Sequence, residues 1–256
     1  TDKQVGPVVR EGIKEKWIVE PGSDKLERYV GIPGTKYEGV VIKGRVSDDV
    51  RKYFYNMKIA KKPETDEQQK RRIATENIRK ETGTAGHASL QDLVELYANG
   101  TGSRSKILAN SPFNEFQFKR LENGIKDIIK QAKEQQKSID PEGKAVFRTE
   151  QLIIDKGADT GGTIDLLVLY SDGSAGIYDY KFVSPSIEAG YVKYIGGQYK
   201  IVNDPFSVKM DTYNIQLGAY KQTLLNEYGI TKVRQSRIVP IHVRYKYDTQ
   251  KGMTSK

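Results

Sequence analysis

The chain has 256 residues, 42 Lys and Arg against 33 Asp and Glu, and a net charge of +9. It has no cysteine and two histidines, which excludes disulfides, thiolate zinc sites, cysteine-ligated iron–sulfur clusters and cysteine nucleophiles. No apolar run approaches the ~20 residues that span a bilayer, and no N-terminal apolar centre marks a secretory signal, so a basic, intracellular, cytoplasmic protein with no membrane association is expected. The first residue is Thr1, which leaves room for the chain to be part of something longer.

In chain order, residues 1–62 read as a strand-rich N-terminal extension with the apolar run Val40-Val41-Ile42 and a brief helix from Val50 to Tyr55. Pro63 and Thr65 open a polar helix over about Asp66–Glu81, which Gly83 is expected to break. A second helix, about Ala85–Ala98, puts Leu90, Val94 and Tyr97 in one stripe, with His87 on the same inward face. Gly100 to Asn110 reads as a loop. Ser111-Pro112 has the form of a helix start, and Phe118, Leu121, Ile125, Ile128 and Ala132 then keep a 3–4 rhythm.

The period then changes. Val146–Asp155, Thr163–Tyr170 and Ala175–Val183 read as strands, the last two joined by Ser171-Asp172-Gly173. Residues 184–211 form an irregular insertion in which tyrosines and lysines alternate. A helix over about Thr212–Tyr228 carries Leu217, Tyr220, Leu224 and Tyr228 and stops at Gly229. A last strand covers about Arg237–Tyr247. Helix, three strands, helix, strand is an α/β order with a mixed sheet.

Charge is unevenly placed. Residues 51–80 and residues 232–256 each carry an excess of six basic groups, which suits a polyanion that releases counterions on binding. A solvated helix face and a charged tail would give the same count.

Asp179 and Lys181 are two apart in a strand and therefore share a face. If Ser171-Asp172-Gly173 is a three-residue loop, Asp165 stands opposite Asp179. Two carboxylates and an amine then converge, and a divalent cation with a taste for hard oxygen ligands, magnesium or manganese, relieves the conflict. A lysine bridging two acids on an exposed face is the structural alternative.

These residues carry a resemblance. Asp165, Asp179 and Lys181, in Gly162-Thr163-Ile164-Asp165 and Ile177-Tyr178-Asp179-Tyr180-Lys181, resemble the PD-(D/E)XK nuclease signature in its RecB-like exonuclease form. Ile164 stands at the proline of the signature's name. Gly83-Thr84-Ala85-Gly86-His87 resembles the motif that supplies a metal-binding histidine, and Gln216-Leu217-Gly218-Ala219-Tyr220 resembles the Q-x-x-x-Y helix. The resemblance covers about residues 71–247. It implies a restriction-endonuclease-like core over 63–256 with the insertion at 184–211.

It also implies a magnesium- or manganese-dependent deoxyribonuclease, an exonuclease or a single-strand-preferring enzyme, with RNA not excluded. A larger replication, repair, recombination or viral assembly would fit, including one in a host cytoplasm. By the same resemblance Asp165 and Asp179 are metal ligands, with His87 and the Tyr180 carbonyl beside them. Lys181 acts on the attacking water, and Glu150 is a ligand, an outer partner or a surface acid. Gln216 and Tyr220 would touch the substrate strand or the neighbourhood of the lysine, where an ordinary amphipathic helix would simply pack Tyr220. Apart from the resemblance, Arg72 and Arg79 lie two turns apart on one helix face, which would guide a phosphate backbone. The competing expectation is an inactive nucleic-acid-binding or structural module on the same fold.

Overall fold

The computed structural model describes residues 17–21, 27–31, 41–42, 44–47, 65–183, 192–195, 198–201, 205–243, 245–248 and 252–255. The helix expected at 50–55 lies outside them, as do the side chains of Arg72 and of the 184–211 insertion.

In chain order the elements are β1 (Trp17–Pro21), β2 (Glu27–Gly31), β3 (Val41–Ile42), β4 (Gly44–Arg45), α1 (Asp66–Val94), a π-helical turn Glu95–Asn99, α2 (Arg104–Asn110) and α3 (Glu115–Ile139). There follow β5 (Val146–Asp155), β6 (Thr160–Leu169), β7 (Ala175–Val183), β8 (Val192–Ile195), β9 (Gln198–Ile201), α4 (Pro205–Glu227), β10 (Val233–His242), β11 (Tyr245–Asp248) and β12 (Gly252–Ser255). The class is α/β with a mixed sheet. Two compact units divide the chain, residues 1–56, 130–179 and 212–238 in the first and 57–129, 180–211 and 239–256 in the second.

The first unit holds most of the central sheet, ordered β10-β7-β6-β4 with β5 also on β6. β5 runs antiparallel to β6 from Val146↔Leu169 to Asp155↔Thr160. β4 pairs parallel with the start of β6, Gly44↔Thr160, and β7 pairs antiparallel with its end, Leu166↔Tyr178 to Leu169↔Ala175. The bonds from Thr231 N–H to the Gly173 carbonyl and from Ala175 N–H to the Lys232 carbonyl advance in the same sense, so β10 enters parallel to β7. β1, β2 and β3 form a separate antiparallel sheet in this unit.

α4 closes the core of this unit. Leu217, Tyr220 and Leu224, at spacings of three and four, are buried against Ile153, Ile164, Leu167 and Ile177. Each fully buried side chain of this size is worth roughly 2 kcal/mol relative to exposure. The Tyr228 hydroxyl accepts a bond from the Ile154 N–H at 2.7 Å, and Gly229 at φ 65 turns the chain out of the helix.

In the second unit, α1 runs unbroken through Gly83. The expected break fails because a mid-helix glycine costs only about 1 kcal/mol, which a helix of 29 residues tolerates. Its start is as expected: Thr65 and Gln68 form a reciprocal capping box. The loop expected before Asn110 contains α2. α3 begins three residues after Ser111-Pro112, because Asn114 and Gln117 cap each other at 3.0 and 3.1 Å. α4 likewise starts at Pro205 rather than Thr212, taking part of the segment expected to be irregular, where β8 and β9 also pair.

Phe118, Ile125 and Ile129 bury the inner face of α3 in this unit. Glu122 shares that face and receives bonds from Tyr97, from Arg104 at 3.1 Å and from Lys126 at 2.9 Å. Burial alone would raise its pKa, but these three partners outweigh it and hold the carboxyl down at about 2.

Candidate metal centre

The β6–β7 turn fixes the register. Tyr170 N–H donates to the Ser174 carbonyl at 2.9 Å and Gly173 N–H to the Tyr170 carbonyl at 3.1 Å. Gly173 supplies the left-handed residue, at φ 80, that a three-residue loop needs. Gln136 clamps the loop by a bond to the Ser171 hydroxyl at 2.7 Å and one from the Ser171 N–H at 3.0 Å. Arg234 ties Asp172 and Ser174 from the neighbouring strand. The pairing Leu166↔Tyr178, continued by one residue, sets Asp165 against Asp179.

The other side of β6 adds a third acid. The β5–β6 register passes from Thr149↔Leu166 to Gln151↔Ile164, so Glu150 stands at the position opposite Asp165. No ladder pair forms there, because Glu150 has φ 47. A left-handed residue interrupts the pleat and re-aims its side chain. The Glu150 and Asp165 carboxylates offer oxygens within 4.8 Å of one another. Asp165 is 9 % and Asp179 2 % exposed. Three carboxylates therefore cross three adjacent strands at one level, where burial makes like charges costly unless they are compensated.

Tyr180 and Lys181 continue β7 into the second unit. There His87, on α1, meets the Phe182 ring edge-on at 5.4 Å and the Tyr180 ring at 6.4 Å. Burial, and then the nearby Lys181 charge, lower the His87 pKa to about 4. Its imidazole is thus neutral near pH 7, the form that donates a lone pair to a metal. Gly86 gives this corner its room: a Cβ there would lie 2.3 Å from the Phe182 ring. Phe182 also stacks on Phe113 at 5.9 Å.

Gln216 and Tyr220 face each other on α4, the Gln216 amide donating to the Tyr220 hydroxyl at 2.6 Å. Tyr220 is buried in the core, over Gly162, where a Cβ would approach its ring to 2.4 Å. Arg79 is exposed on α1. Sequence reasoning missed the left-handed backbone of Glu150 and the clearance that Gly86 and Gly162 provide. A glycine within a strand is a signal for close approach, so Gly162 was the readable one; a glutamate gives no sign of positive φ.

Among the described residues, no helix is long and apolar enough to cross a membrane. No family model, no curated protein and no solved structure matches this chain.

Proposed function

We propose that this chain is a metal-dependent nuclease on a restriction-endonuclease-like core, hydrolysing phosphodiester bonds of DNA. The observation that carries the reading is the row of acids Glu150, Asp165 and Asp179 across β5, β6 and β7, followed two residues later by Lys181. The donor chemistry fits magnesium or manganese: hard carboxylate oxygens with one neutral imidazole. In this reading Glu150, Asp165 and Asp179 are ligands, and the sequence resemblance adds His87 and the Tyr180 carbonyl to the set. The ion, when bound, supplies Lewis-acid stabilisation of phosphate charge and lowers the pKa of a bound water.

The chain's own groups do the rest. The carboxylates would hold the ion and, through it, fix the position of the reacting phosphate. Lys181 donates a hydrogen bond that orients the attacking water and meets charge developing on the phosphate. Gln216 and Tyr220 brace the strand β6 through Gly162, and the exposed Arg79, with Arg72, offers cations to the backbone of the nucleic acid.

The test is cleavage of labelled single-stranded DNA, duplex DNA and RNA in manganese, magnesium or EDTA. Cleavage of DNA that needs a divalent ion, and that Asp165→Ala and Lys181→Ala each reduce by at least about 100-fold, supports the reading. Binding without cleavage under every condition would replace it with an inactive nucleic-acid-binding module.

A further inference from the structure

The second unit contains a half-open groove of about 280 Å³, walled by α3 on one side and by residues 239–243 of and beyond β10 on the other. Phe116, Gln117, Arg120, Leu121 and Gly124 line it from α3 at helical spacing, and Tyr180 lines it from β7. We propose that this groove receives an unpaired base of a single-stranded nucleic acid, with Phe116 stacking on the base and Arg120 meeting the adjoining phosphate. The proposal rests on the nuclease reading above and adds to it a subsite and a substrate form.

Three observations carry it. Phe116 is 71 % exposed at the groove's edge, an aromatic face with no burial to explain it. Gly124 lies inside a long helix, yet a Cβ placed on it meets nothing within 4 Å. Packing within the chain therefore gives no reason for a glycine, while the groove in front of it does: any larger side chain would take up that space. The third is charge. Among the described residues no carboxylate lines the groove, and its ionisable side chains besides Tyr180 are Arg120 and His242, on a chain of net charge +9. An apolar slot with an aromatic lip and a cation at the mouth matches a flat base joined to a phosphate. A duplex keeps its bases stacked inside and offers nothing to fill the slot.

The experiment measures binding in EDTA of two fluorescein-labelled oligonucleotides of equal length, oligothymidylate and its abasic counterpart. The wild type should bind the base-bearing strand about 10-fold more tightly, the size expected of stacking. Phe116→Ala and Gly124→Leu should each remove that preference and leave the abasic affinity within about twofold, because neither removes a phosphate contact. Gly124→Leu introduces a better helix former, and Phe116→Ala alters an exposed site, so both variants should fold. If the wild type cleaves DNA but the two variants keep the preference, the groove assignment falls and the nuclease reading stands. If the wild type binds neither oligonucleotide, the groove assignment falls, and the cleavage assay alone decides the nuclease reading. Binding of the apolar dye anilinonaphthalene sulfonate that Gly124→Leu abolishes, but that oligothymidylate does not displace, would overturn the assignment in favour of an apolar partner.

Discussion

Glu150 holds its backbone at φ 47, a region that costs a non-glycine residue of this kind about 1 kcal/mol or more. The bend sets the carboxylate beside that of Asp165. Glu150→Asn should keep the fold, since asparagine tolerates this region of backbone. Manganese affinity should fall in the same variant. A large loss of stability, seen by thermal denaturation, would show that the glutamate is held for packing instead. Gly162 makes the opposite case. Gly162→Ala drives a Cβ into the buried Tyr220 ring and should cost about 1–3 kcal/mol in urea unfolding. That Asp165 stands against Asp179 was legible because a short loop fixes the register of their strands. Glu150 was legible only as an acid in a strand; its conformation depends on pairing with β6, which no local residue announces.

Among the elements, α1 and α3 carry the sharper consequences. A Cβ added at Gly83 would meet nothing within 4 Å, and the residue sits inside an unbroken helix, so Gly83→Ala should stabilise by about 1 kcal/mol. A helix broken at that point would gain nothing or lose stability, and chemical denaturation distinguishes the two. On α3, the Glu122 carboxyl is held down at about 2 from an ordinary value of 4.5. Its stabilising effect is present above pH 4.5 and is lost as pH falls through 2, because the unfolded chain takes up the proton first. Glu122→Gln should remove about 2 kcal/mol near neutral pH and flatten the pH dependence of stability between 4.5 and 2. Unfolding curves that keep the wild-type pH slope in this variant would contradict the network's role. Helix type and the Thr65 cap were readable from local sequence, whereas the start of α3 was not. Ser111-Pro112 and Asn114 with Gln117 are both good starts, and the reciprocal Asn114–Gln117 bonds decide between them.

Across the whole molecule, the mixed sheet was legible because periodicity changes from helical to alternating at Val146, and a glycine-closed turn sets β6 against β7. The pairing of β4 with the start of β6 was not, since two residues far away in sequence carry no periodic signal. Charge shows the same split: the basic blocks are plain in composition, but their direction depends on the fold. We propose that the acids crossing the sheet hold a divalent cation. Such an ion should stabilise the folded chain by about 2.7 kcal/mol at a hundredfold excess over its Kd.

The most direct measurement is isothermal titration calorimetry with manganese on the wild type and Asp165→Ala, both shown folded by circular dichroism. Saturable binding of one or two ions to the wild type, and none to Asp165→Ala, is the expected result. Equal binding to the two proteins, or no binding to the wild type, would contradict the claim.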